Sequence, residues 1–149
     1  MIKILNWPIL FLLSGPLFGQ GPSPLPGCKG DLTMIVTGLE SNEGQIKFDL
    51  DNNADTFKPK EGGPSAFMKG RSKIQEKRVE YVFKDIPCGE YAIKLYHDAN
   101  MNEDLDKNFI KIPKEQYGFS NCKNCTLPPS WEKAKFQFDL KHPSITIDL

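Results

Sequence analysis

The sequence predicts an all-β protein, an antiparallel β-sandwich of about seven strands with one long loop. Three observations carry that reading. Apolar and polar side chains alternate with period two along run after run, the pattern of half-buried strands. Clusters of Gly, Pro, Asn and Asp separate the runs, as turns between strands require. After the first 20 residues no stretch keeps a long helical period, and short strands divided by turn signals argue for a sandwich.

The chain opens on a different kind of segment. Residues 1–20 read as a signal peptide: Lys3 gives a positive start, residues 9–18 are apolar apart from Ser14, Gly15 and Pro16, and Gly19 and Gly21 follow. The run is too short and broken for a membrane span, and Pro8 and Pro16 argue against a buried helix. Residues 21–30 form a Pro/Gly-rich linker, and residues 31–149 the sandwich domain. Leu25-Pro26-Gly27-Cys28 also resembles a loose lipoprotein cleavage box. Lipid on Cys28 would anchor the chain to a membrane.

The first strand is residues 31–39, with Leu32, Met34 and Val36 on one face. Ser41-Asn42-Glu43-Gly44 is a turn signal, and residues 45–50 alternate again, with Ile46, Phe48 and Leu50 inward. These two runs read as a hairpin. Residues 51–63 are a polar loop that Phe57 anchors to the core, and residues 65–77 are ambiguous between strand and helical turn. Val79, Tyr81 and Phe83 face inward in the next strand, and after a tight turn at Ile86-Pro87-Cys88-Gly89 so do Tyr91, Ile93, Leu95 and His97. Residues 100–130 are a long connection, followed by a short helix at 131–134. Residues 135–140 form a strand with Phe136, Phe138 and Leu140 inward, His142-Pro143 marks a turn, and residues 144–149 close the chain.

A chain of 149 residues suits one domain, and a domain near this size hides about two-thirds of its unfolded surface. Lys+Arg and Asp+Glu both number 19 and no basic stripe is present, so nucleic acid is not an expected partner. The four cysteines, Cys28, Cys88, Cys122 and Cys125, allow three connectivities. An even count in an exported chain favours disulfides. The preferred pairing is Cys28–Cys88, pinning the first strand to a turn, and Cys122–Cys125, closing a short loop.

The central stretch carries a resemblance. Phe83-Lys84-Asp85-Ile86-Pro87-Cys88-Gly89-Glu90-Tyr91 is similar to the turn of transthyretin-like and carboxypeptidase-regulatory-like sandwiches. His97, Asp98, Asn100, Asn102, Leu105 and Asp106, then Ile112, Pro113, Glu115 and Tyr117-Gly118-Phe119-Ser120-Asn121, resemble the bacterial family catalogued as domain of unknown function 2141. The resemblance covers nearly all of the chain after the linker. It implies an exported, immunoglobulin-like (prealbumin-like) sandwich, and it implies no activity. Glu103 departs from it, standing where such loops often carry glycine, and the four cysteines depart as well.

Four features carry chemistry. Asp98, Asn100, Asn102, Asp104 and Asp106 put oxygens at alternate positions, as the first part of a calcium loop does. Glu103 replaces that loop's glycine and Phe109 its closing glutamate, while Glu115 would supply a carboxylate from further along. Without calcium the same residues would build a turn on their own backbone. His97 beside Asp98 suggests an acid–base pair, but neighbours on a strand face opposite ways, and the expected role is a hydrogen bond that pins the loop. Cys122-Lys-Asn-Cys125 has redox spacing without the strand–helix setting of a thioredoxin-like site, so a structural bond is expected. Tyr117, Phe119 and Trp131 would present an aromatic binding surface or cap one end of the sandwich.

The resulting expectation is an exported, non-enzymatic β-sandwich module, periplasmic or extracellular, stabilised by calcium and binding a protein or glycan. It meets a membrane only if Cys28 is lipidated. The competing expectation is a hydrolase using His97 and nearby carboxylates.

Overall fold

In the computed structural model, residues 27–58, 64–110, 113–125 and 127–149 are described; the expected signal peptide and most of the linker lie outside them. The strands are β1 (Lys29–Thr37), β2 (Gln45–Asp51), β3 (Met68–Lys73), β4 (Val79–Pro87), β5 (Gly89–Asp98), β6 (Tyr117–Phe119), β7 (Phe136–Phe138) and β8 (Ser144–Asp148). Two short helices, α1 (Ala54–Phe57) and α2 (Trp131–Ala134), complete the order. The strands form two sheets, β4-β1-β8 and β3-β2-β5-β6, with β7 pairing the first residues of β5. This is the expected all-β sandwich. β1 starts inside the expected linker.

Period-two alternation decides which face each strand buries. Leu32, Met34 and Val36 of β1 are fully buried, and they meet Ile46 and Leu50 of β2, Phe83 of β4 and Ile93 of β5 in one core. Each such side chain is worth about 1.5–3 kcal/mol against leaving it in water. Phe48 packs edge-on against Phe83 at 5.4 Å between ring centroids, a geometry that suits the charge distribution of aromatic rings.

Three pairings differ from the sequence expectation. β1 and β2 are not a hairpin: β1 pairs β4 and β8, while β2 pairs β3 and β5. The chain between them turns at Gly38 and Gly44, with φ of +77° and +70°, and buries Leu39, so it crosses from one sheet to the other. Second, β8 lies parallel to β1, which sets Ile145 beside Met34 and Ile147 beside Val36. Third, the expected connection 100–130 contains a strand, β6, antiparallel to β5. Among the described residues eight strands result where about seven were expected.

Leu140 also departs, being 65% exposed where it was expected inside. β7 ends at Phe138 because the carboxylate of Asp139 accepts hydrogen bonds from the backbone N–H of Lys141 and His142, both at 2.8 Å. That turn swings Leu140 off the sheet.

The corner between β4 and β5 carries the chain from one sheet to the other. Cys88 sits there, bonded to Cys28 at the start of β1, and its N–H donates to the Cys28 carbonyl at 3.0 Å. Cys122 and Cys125 form the second disulfide. Both expected pairs are present. Near the first bond β4 bulges: Gly30 faces Ile86 and Leu32 faces Phe83. Asp85 takes up the extra residue at φ +53°, its N–H held by the Asp31 carboxylate at 3.2 Å.

Candidate functional site

The outer face of the five-stranded sheet is built by the residues that alternate away from the core. Register sets them in rows: Lys47 of β2 stands between Arg71 and Tyr96, with Tyr117 beyond, and Asp49 stands between Lys69 and Lys94, with Phe119 beyond. Glycine at 118 is what lets β6 lie here. Its side-chain position points into the sandwich, where a Cβ would come within 2.4 Å of Leu149 and 3.2 Å of Ile147.

Part of this face is covered. Phe57 of α1, Ala92, Phe119, Cys122 and Ala134 of α2 form a second apolar cluster, with Tyr117, Cys125 and Trp131 against it. Phe57 meets Phe119 at 6.3 Å and Trp131 at 6.0 Å, both edge to face. Phe57 thus anchors its loop as expected. The three aromatic residues expected to bind or to cap therefore pack over a sheet face, and of them Tyr117 and Phe119 border open space. Ser120 ties the layers: its hydroxyl accepts from the Ile93 N–H at 2.8 Å and donates to the Ala134 carbonyl at 2.7 Å.

Lys94 holds α1 down. Its ammonium donates to the carbonyls of Thr56 and Phe57 at 3.2 and 3.0 Å and pairs with Asp49 at 3.6 Å and Asp51 at 3.3 Å. Asp51 is fully buried, and neither carboxylate oxygen has a hydrogen bond of good geometry. Burial pushes its carboxyl above the ordinary range against the pull of Lys94.

The acidic loop leaves the end of β5. Asp98 is fully buried and accepts from Gln45 Nε2 at 2.9 Å, from the Asn102 N–H at 3.0 Å and from the Glu103 N–H at 3.2 Å. Asp106 accepts from the side-chain amides of Asn100 at 2.7 Å and Asn102 at 2.8 Å. Glu115 reaches back, one oxygen on the Ala99 N–H and the other on the Asp106 N–H, each at 3.0 Å. The structure thus brings Asp98, Asn100, Asn102, Asp106 and Glu115 into one hydrogen-bonded turn, and Asp104 joins it through its N–H on Asn102 Oδ1 at 2.9 Å. As arranged, amide nitrogens rather than oxygens face Asp106. Among the described residues no three acidic, His or Cys side chains converge as a metal group. A cation would have to replace the two amide–carboxylate bonds, with both amides turning their oxygens inward.

Glu103 docks this loop on the sheet. It sits at φ +70°, the left-handed region that glycine enters at least cost. Its carbonyl accepts from Lys47 at 3.0 Å and from the Tyr96 hydroxyl at 2.7 Å, and its carboxylate pairs with Arg71 at 2.7 Å. The Tyr96 hydroxyl is pushed up to about 12, first by burial and then by the charges of Asp98, Asp104, Glu115 and Glu103.

His97 is on the other side. It faces the core, is 5% exposed, and its Nε2 lies 2.7 Å from the Glu43 carbonyl, which requires that nitrogen to carry the proton. It pins the crossing loop between β1 and β2, and Asp98 points away from it. The Cys122–Cys125 bond lies between β6 and α2 and consumes both thiols.

Between the docked acidic loop and the segment at Leu127–Pro128 runs a groove of about 650 Å³. Its floor holds Lys47, Asp49, Lys94 and Tyr96; Leu105, Lys107 and Pro113 form one wall. Of the lining residues, the sequence pointed to Tyr117 and Phe119 as an aromatic surface and to Glu103, Leu105 and Pro113 within the motif. Lys47, Asp49, Lys69, Lys94, Lys107, Leu127 and Pro128 were not picked out as a site, because alternation and loop composition do not say what folds over what.

A family model described as "Uncharacterized protein conserved in bacteria (DUF2141)" matches residues 34–146. The chain belongs to that family. The matched span takes in the acidic loop, both walls of the groove and all but the ends of the sandwich, in accord with the sequence resemblance. Searches of curated proteins and of solved structures returned no match. Two disulfides fit a non-reducing compartment, and no helix among the described residues is long and apolar enough to cross a membrane.

Proposed function

We propose that the chain is an exported, non-catalytic β-sandwich module of the periplasm or cell exterior that holds a protein segment or a glycan in the groove on its five-stranded sheet. The groove is the observation that carries this reading. Its volume falls in the range of ligand sites, about 300–1,000 Å³, and its lining combines apolar and aromatic side chains with charged groups. The leader pattern in residues 1–20 and the two disulfides support export. The buried, core-facing His97 gives a hydrolase reading no support.

The test is a peptide and glycan array probed with the mature chain and with a Leu105→Asn plus Leu127→Asn variant, which changes both walls. Binding that the variant loses supports the reading. Binding that survives it, or no binding at all, ends it.

The acidic loop supports a second element, calcium ordering of the groove wall. Glu115 adds a carboxylate tied into the loop at the Ala99 and Asp106 backbone N–H, and calcium takes about six to eight oxygens from such side chains, carbonyls and water. Calorimetric titration with calcium tests it, with Asp98→Ala plus Asp106→Ala as control. Neither heat nor a thermal shift in the parent would remove the ion.

A further inference from the structure

We infer that the occupant of the groove is an acidic polypeptide segment with apolar side chains, rather than a sugar; this rests on the groove being a binding site at all. A sugar needs acceptors as well as donors for its hydroxyls, and the lining sets four lysines, Lys47, Lys69, Lys94 and Lys107, against two carboxylates. Of those two, Glu103 pairs with Arg71 at 2.7 Å, and Asp49 lies 3.6 Å from Lys94. The Tyr96 hydroxyl donates its proton to the Glu103 carbonyl. Phe119 is only 8% exposed and offers little ring face.

What remains is cationic and apolar. Lys69 has only a distant contact with Asp49, 3.9 Å, and its side chain is 62% exposed. Lys107 lines the groove and makes no ion pair among the described residues. Leu105, Pro113, Leu127 and Pro128 face the same space, with Leu127 76% exposed. The carboxylates of Asp98, Asp104, Asp106 and Glu115 do not line it. An occupant that matches this must bring carboxylates for two ammonium groups and apolar groups for the walls. A stretch of polypeptide with alternating acidic and apolar residues does both, and charge complementarity would also speed its capture.

Fluorescence anisotropy on the full exported chain, disulfides intact, tests this with three labelled probes. They are the hexapeptide Asp-Leu-Asp-Phe-Asp-Leu, the same peptide with Lys for Asp, and a neutral glucose hexasaccharide. The acidic peptide is expected to bind, to weaken as salt rises, and to lose about tenfold in affinity in Lys69→Gln plus Lys107→Gln. Both side chains are exposed, so the denaturation midpoint of that variant should match the parent. Equal binding of the lysine peptide, or unchanged binding by the variant, overturns the inference. Hexasaccharide binding that Leu127→Asn abolishes overturns it while leaving the groove a binding site. If no probe binds, the inference falls, and the array decides separately on the groove.

Discussion

Removing the Cys28–Cys88 bond should cost far more than removing Cys122–Cys125. The two bonds span 60 and 3 residues of sequence. In the chain-entropy view a cross-link stabilises by restricting the unfolded chain, more so the longer the closed loop. The usual relation gives about 4.3 kcal/mol for the first separation and about 1.6 kcal/mol for the second. The native side points the same way. Cys28–Cys88 joins the start of β1 to the corner where the chain changes sheets, whereas Phe119 and Cys122 are already linked by a backbone bridge. The perturbation is a pair of double variants, Cys28→Ala plus Cys88→Ala and Cys122→Ala plus Cys125→Ala. Guanidinium unfolding followed by circular dichroism reads the free energies, and a thermal scan should show a fall of roughly 10–20 °C for the first. If the short bond proved equal or more costly, the entropic account would be wrong for this chain, and the 121–135 segment would be holding up the fold.

Four further outcomes follow from the geometry. Asp51→Asn should stabilise the protein at neutral pH: burial raises the carboxyl's affinity for its proton, so its favourable contribution is full below the unfolded value of 3.8 and is lost as pH rises through the folded one. The gain should shrink in acid, and a variant less stable at neutral pH would mean the Lys94 pair outweighs desolvation. Gly44→Ala should cost about 2–5 kcal/mol in denaturant unfolding, from left-handed strain and overpacking, since its Cβ would lie 2.1 Å from the Asp98 carbonyl oxygen. Ser120→Ala should cost about 1–3 kcal/mol by leaving buried backbone groups of Ile93 and Ala134 without their partner. Mass spectrometry of the unreduced protein should find no lipid on Cys28, because a sulfur bonded to Cys88 cannot also carry a thioether.

The strands were legible because their cause is local. Burial on one side of a sheet forces a polar residue to follow an apolar one, and residues 45–50 display that without any partner being known. Partner choice is not local, and there the sequence misled. Ser41-Asn42-Glu43-Gly44 looks like a hairpin turn, but the fate of a turn depends on whether its flanks pair, and buried Leu39 pulls the chain across to the other sheet. β6 was hidden for a related reason. Three residues with glycine at the centre give no alternation to read, and that glycine is required by Leu149, a residue 31 positions away. The groove was least legible. Lys47, Asp49 and Lys94 look like ordinary solvated positions until the acidic loop and residues 127–128 are seen to close over them. Only Glu103, a non-glycine where glycine is usual, flagged the contact that docks the loop.

The motif residues of the central stretch can be separated by what each one does. Asp98 gathers the loop around a buried carboxylate, Gly118 gives up a side chain so that β6 can lie against Leu149, and Ser120 bridges β5 to α2. Asn121 donates to the Lys135 carbonyl at 2.7 Å and so holds the chain beyond β6 against α2. Each meets a need of the frame, and none of the four lines the groove. Lys69, Lys107 and Leu127, the exposed groups that an occupant would meet, fall outside the motif. Other motif residues, Leu105, Pro113, Tyr117 and Phe119, do line the groove, so frame and lining overlap in part. Substitutions at Asp98, Gly118 or Ser120 should therefore register first in stability, and substitutions at Lys69, Lys107 or Leu127 in binding alone.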